Sequence, residues 1–124
     1  MQPTALSAST ITGDKVRNPD GDDLGHLEEI VIDLQGGRVS YAVLASGGFL
    51  GLGGKFFAVP WDLLTVDTDA KELVLDVSKE TIQNAPGFDK DNWPDTSDRA
   101  WIVDVYKYYG REPYWEDTLD EHTM

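Results

Sequence analysis

The sequence predicts a small, mainly β domain, most simply an antiparallel barrel, followed by a short helical extension. Three observations lead there. Between Ile11 and Val77 apolar residues alternate in short runs, turn residues separate the runs, and no segment of that stretch sustains a 3.6-residue period. After Ser78 the composition changes and a helical period takes over, so the expected division is a barrel over residues 1–78 and a helical and loop extension over 79–124, packed on the barrel with a frayed tail.

Taken in order, Asn18-Pro19-Asp20-Gly21 reads as a loop, after which Ile30, Ile32 and Leu34 alternate with Glu29 and Asp33 on the opposite face. Gly36-Gly37 can supply the positive φ angles of a two-residue hairpin turn. The next strand, RVSYAVLAS, places Val39, Tyr41, Val43 and Ala45 on one face and Ser40, Ala42, Leu44 and Ser46 on the other, buried on one side and half-covered on the other. In KFFAVPWDLLTVD, Pro60 cannot donate to a ladder and marks an edge, a bulge or a sharp bend. A second hairpin turns at Asp67-Thr68-Asp69-Ala70 into KELVLDVS, where Leu73, Leu75 and Val77 share a face. Five or six such strands favour closure, which removes exposed edges.

Ser78 is a good N-cap for a short helix, KETIQNA, stopped at Pro86-Gly87. A second helix is expected to start near Thr96 or Ser97 and to run through DRAWIVDVYKYY, with Trp101, Val105 and Tyr108 as its apolar stripe, Ile102 and Tyr109 widening it, and Gly110 ending it.

Composition narrows the function. The 124 residues carry 23 acidic and 10 basic side chains, a formal net charge of -13, spread along the chain rather than gathered in a tail. Such a polyanion is repelled by phosphate backbones, which argues against direct nucleic-acid binding. The absence of cysteine removes disulfides, thiolate metal sites and cysteine nucleophiles. The N-terminus has neither a basic nor an apolar leader region, and no apolar run is long enough to insert in a bilayer, so the expected location is the cytoplasm.

The stretches GDKVRNPDGDDLGHLEEIVID, GGRVSYAVL and KFFAVPWDLL, with a glycine-rich loop before the last, resemble the PRC-barrel domain over about residues 8 to 78. That family takes its name from the H subunit of the photosynthetic reaction centre and also supplies the C-terminal half of the ribosome maturation factor RimM. The segment after Ser78, with YKYYGREPYW, resembles an extension of stand-alone bacterial members. The resemblance implies a six-stranded antiparallel barrel that acts by binding rather than by catalysis.

The chemical motifs give little against this. In SGGFLGLGGKFF the phosphate-loop pattern needs a glycine where Phe49 stands and a hydroxyl where Phe56 stands, and the residues that follow are strand-like rather than helical. Asn18, Asp20, Asp22 and Glu29 can be laid on a calcium-loop template, but Asp23 occupies its glycine position. His26 and His122 lack partners at ligand spacing, and no nucleophile elbow is present. We therefore expect no enzymatic activity, no cofactor and no metal.

What remains is apolar and aromatic surface. Phe49, Leu50 and Leu52 stand in a glycine-rich connection, where they have to fold back or meet a partner, and Tyr109, Tyr114 and Trp115 are surplus aromatics of the kind that anchor interfaces. The expected role is a protein-protein adaptor that self-associates as a homo-oligomer. The alternatives are an accessory factor in ribosome maturation acting through a basic ribosomal protein, and a peripheral subunit of a photosynthetic-type membrane complex.

Overall fold

In the computed structural model, which describes residues 5–46, 54–89 and 91–115, the alternating stretch folds as six strands. They are β1 (Lys15–Arg17), β2 (Asp23–Asp33), β3 (Arg38–Ala45), β4 (Phe56–Val59), β5 (Leu64–Asp67) and β6 (Glu72–Leu75). Their order in one sheet is β4-β3-β2-β1-β6-β5. Around it lie α1 (Ala8–Ile11), a 3-10 turn at Trp61–Leu63, α2 (Lys79–Gln83) and α3 (Arg99–Tyr108).

The sheet is mixed and not closed, where the sequence led to an antiparallel barrel. β1 runs parallel to β6, with Lys15 opposite Glu72 and Arg17 opposite Val74. The other neighbouring pairs are antiparallel. Alternation reports which face a side chain takes, not the direction of the neighbouring strand, and no hairpin joins β1 to β6 to fix their sense. β4 and β5 stand at opposite ends of the sheet although only Pro60 and the 3-10 turn separate them. Laid flat, five inter-strand spacings need about 24 Å, whereas the linker reaches about 18 Å, so the sheet has to curl. Its edges approach without forming a ladder, because Pro60 has no N–H to give and the 3-10 turn interrupts the extended run. The free side of β4 meets Phe88 instead, the backbones of Phe56 and Phe88 exchanging two hydrogen bonds of 2.9 Å.

Curling creates two apolar cores. Val16, Leu24, Leu27, Leu44, Leu73 and Leu75 fill the concave side, where Ile82 of α2 also packs. Tyr41, Val43 and Ala58 point to the convex side and are covered by Ile102, Val105, Tyr106 and Tyr114. β3 is thus buried on both faces from Ser40 to Leu44, rather than half-covered on one. A helix laid on that face removes the polar side that a solvated strand would show.

Ser78 caps α2 as its sequence requires, accepting a hydrogen bond from the Thr81 N–H at 3.1 Å. Ser78→Ala is expected to destabilise the chain by about 1 kcal/mol, read as a lowered urea midpoint with unchanged slope. α3 begins later than expected, with Asp98 as its N-cap accepting from the Trp101 N–H. Its buried stripe is Ile102, Val105 and Tyr106, while Tyr108 stays 38% exposed. Aromatics on both flanks of this helix let two stripes one position apart fit the same period, and the fit to β3 selects between them. α1 was not anticipated, since four residues are too few to show a helical period.

The β2–β3 connection is a four-residue turn, Leu34 to Gly37, rather than the expected two-residue one. Gly37 takes the positive φ of +64°, and its N–H donates to the Asp33 carbonyl at 2.8 Å. Asp33 dictates this longer turn, because its Oδ1 accepts from the Gln35 and Gly36 N–H groups at 3.0 and 3.1 Å.

Candidate functional site

The distal half of the β2–β3 hairpin extends past its neighbours. β1 pairs with β2 no further than His26, and β4 pairs with β3 no further down than Ala42. Within this projecting part the register shifts between Val31/Tyr41 and Ile32/Val39, which makes Ser40 an extra residue on β3. A bulge re-aims the side chains beyond it. Ile30, Ile32 and Val39 consequently line one side of the hairpin, while Asp33 and Ser40 are directed to the other, where α3 and the C-terminal segment lie.

On that second side the chain builds a polar clamp. Tyr114 Oη donates to Asp33 Oδ2 at 2.6 Å and lies 3.3 Å from Ser40 Oγ. Arg99 Nη2 reaches the same carboxylate oxygen at 3.4 Å, and its guanidinium sits 4.2 Å from the centre of the Trp115 ring. Arg38 donates to the Tyr114 carbonyl at 3.3 Å and stacks 5.0 Å over the Tyr114 ring. Tyr106 Oη completes the seal by donating to the Ser40 carbonyl at 2.6 Å.

The electrostatics follow from these contacts. The Tyr114 hydroxyl, then the Gly36 N–H, hold the Asp33 carboxyl below its usual range against the opposing effect of burial. Burial first, and the hydrogen bond to Asp33 second, push the Tyr114 phenol up. Burial likewise raises Tyr41, to about 12, with the charge of Asp95 adding to it. Nothing here generates a nucleophile near neutral pH: the clamp fixes a shape.

Of the clefts that flank the hairpin tip among the described residues, two lie against Ile32. One, of about 470 Å³, is walled by Leu34, Gln35, Thr96, Ser97 and Arg99 beside Tyr114. The other, of about 390 Å³ on the opposite side, is apolar, walled by Leu6, Ile30, Val39, Trp61 and Val66. Ile32 borders both. At the tip Ile32 is 51% exposed and Leu34 is 91% exposed, on a backbone held rigid by Asp33.

Of the residues singled out from the sequence, Phe49, Leu50 and Leu52 lie outside the described residues. Tyr114 and Trp115 meet edge to face at 5.0 Å, with Tyr114 buried in the clamp. Tyr109 stands apart from them, packed between the two cores and 4.9 Å from Tyr108, its hydroxyl buried without a hydrogen-bond partner among the described residues. The calcium-template residues are engaged locally: Asn18 Oδ1 accepts from the Asp22 N–H and its amide donates to the Asp22 carboxylate, while Glu29 lies within β2. His26 faces Glu28 at 3.3 Å, and a strand, β4, follows Lys55 where a phosphate loop needs a helix. Asp33, Arg38, Ser40 and Arg99 were not singled out, although an aspartate just before Leu-Gln-Gly-Gly is a recognisable turn signal. Among the described residues, no helix is long and apolar enough to cross a membrane.

The family model of the PRC-barrel domain matches residues 3–82. No curated protein gives a significant match to the chain.

Proposed function

Since the chain belongs to the PRC-barrel family, whose domains mediate protein interactions, we propose that it is a non-catalytic docking module that engages other protein chains through the tip of its β2–β3 hairpin. The observation that carries this reading is the exposure of Ile32 and Leu34 between two clefts, on a turn whose geometry is fixed from within. Apolar side chains displayed on a fixed turn spare the cost of ordering the backbone on binding and gain by burial, roughly 25 cal/mol for each Å² of apolar surface removed from solvent. An adaptor needs a second surface. For that the reading retains self-association, with Phe49, Leu50 and Leu52 as the candidate contact.

The test is site-specific photocrosslinking in cells. A benzophenone side chain at position 34 is expected to yield a discrete protein adduct, and the same group at Glu80, exposed on α2, is expected to yield none. The adduct mass separates a second copy from another protein. Equal labelling from both positions, or none from position 34, sinks the hairpin as the docking surface.

A further inference from the structure

The cleft between the hairpin tip and α3 already holds a peptide segment, and that segment is the chain's own Pro113-Tyr114-Trp115. Pro113 and Tyr114 are buried although the residues that tether them to α3, Gly110 to Glu112, are exposed. Tyr114 belongs to the buried apolar cluster with Ile102 and Tyr106, and to that packing the segment adds contacts of the kind that recognise peptides: a phenol on a carboxylate at 2.6 Å, a main-chain carbonyl read by Arg38 at 3.3 Å, and two rings stacked under Arg38 and Arg99. Such contacts depend on angle and charge, and they select an aromatic pair with a hydroxyl on its first ring. The segment leaves the cleft partly filled, since about 470 Å³ remains beside Tyr114. In a chain of net charge -13, a wall carrying Arg38 and Arg99 is also a local concentration of positive charge.

We propose that this cleft is a recognition site for a Pro-Tyr-Trp segment, filled in cis by the chain's own tail and able to take the same segment from a second copy, so that two chains associate by exchanging tails. The three-residue exposed tether makes the cis contact effectively intramolecular, at a local concentration on the order of millimolar. Trans binding is therefore masked in the wild-type chain by the fraction of time the tail is seated. The inference rests on the docking reading for its biological use, but its test is independent of the photocrosslinking at position 34.

The probe is a fluorescein-labelled peptide of residues 110–118, titrated by anisotropy with two full-length chains, wild type and Tyr114→Ala/Trp115→Ala. The emptied chain is expected to bind the peptide at least 10-fold more tightly than wild type, and Asp33→Asn added to it is expected to weaken binding at least 10-fold. Equal affinity for both chains, no binding to either, or indifference to Asp33→Asn overturns the proposal. Circular dichroism establishes whether the emptied chain folds. If it does not, sedimentation velocity of wild type and Tyr114→Phe up to millimolar concentration decides instead: a dimer weakened at least 5-fold in Tyr114→Phe supports tail exchange, and a wild type that stays monomeric throughout, or a dimer indifferent to the substitution, overturns it. A discrete adduct at position 34 together with no peptide binding leaves the docking reading standing and removes this one.

Discussion

Gly25→Ala is expected to cost about 4 kcal/mol or more, enough to leave a domain of this size largely unfolded at 37 °C. A Cβ at Gly25 would lie 2.1 Å from the Ala45 carbonyl oxygen and 3.0 Å from its carbon. Both are backbone atoms of β3, so no side chain can rotate away to make room. The residue also sits at φ +115°, a region L side chains rarely adopt. The two penalties can be separated. Gly21 has φ +90° with nothing within 4 Å of an added Cβ, so Gly21→Ala carries the backbone strain alone, about 1 kcal/mol. Urea unfolding followed by far-UV circular dichroism measures both. If the two substitutions cost the same, the close approach of β2 to the end of β3 is not what fixes glycine at position 25. Since β2 carries the projecting hairpin, loss of this contact is also expected to remove every binding activity assigned to the tip.

How far the sequence discloses this molecule depends on whether the relevant physics is local. The N-cap of α2 was readable because it is a contact within three residues, Ser78 with Thr81, whereas that of α3 falls at Asp98 and not at Thr96 or Ser97. The faces of β3 were readable from alternation between Ala45 and Tyr41, beyond which a bulge at Ser40 breaks the alternation without any glycine or proline to announce it. The parallel pairing of β1 with β6 joins residues such as Val16 and Leu73, and no local pattern encodes the sense of so distant a pair. Arg17 ties the same strands together at 2.8 Å from Glu72, again a contact invisible to periodicity.

The site was the least legible part for the same reason. Tyr114 and Trp115 stood out as surplus aromatics, but the carboxylate that receives Tyr114 is 81 positions away. Asp33 marks the turn at Leu-Gln-Gly-Gly, but among 23 acidic residues nothing local assigns it a partner on α3 or in the C-terminal segment. Its side chain is only 11% exposed, bonded to Arg99 of α3 and to Tyr114 as well as to its own turn.

Removing the hydroxyl from this clamp is the second large effect. Tyr114→Phe is expected to destabilise the chain by about 2 kcal/mol at pH 7, the range for a hydrogen bond to a charged, largely buried group, since it leaves the Asp33 oxygen facing an apolar ring. Asp33→Asn is expected to cost a similar amount and the double variant little more than either, giving a coupling energy of about 1 kcal/mol or larger in a double-mutant cycle. The pH dependence has a definite sign. Tyr114 and Gly36 lower the folded-state pKa of Asp33, so its contribution is complete above the unfolded value of about 3.9 and is lost as pH falls through the lower folded value. Tyr114 is shifted the other way, so its contribution is complete below the unfolded value of about 10 and is lost as pH rises through the higher folded one. The stability gap between wild type and Tyr114→Phe should therefore be flat from about pH 5 to pH 9 and shrink outside that window. Urea midpoints at pH 3, 5, 7 and 9 test it, and a gap that persists undiminished at pH 3 would show that Tyr114 is held by packing and not by the Asp33 carboxylate. In that event Asp33 would serve the hairpin turn alone, and the recognition of the Pro113-Tyr114-Trp115 segment through its carboxylate would fall with it.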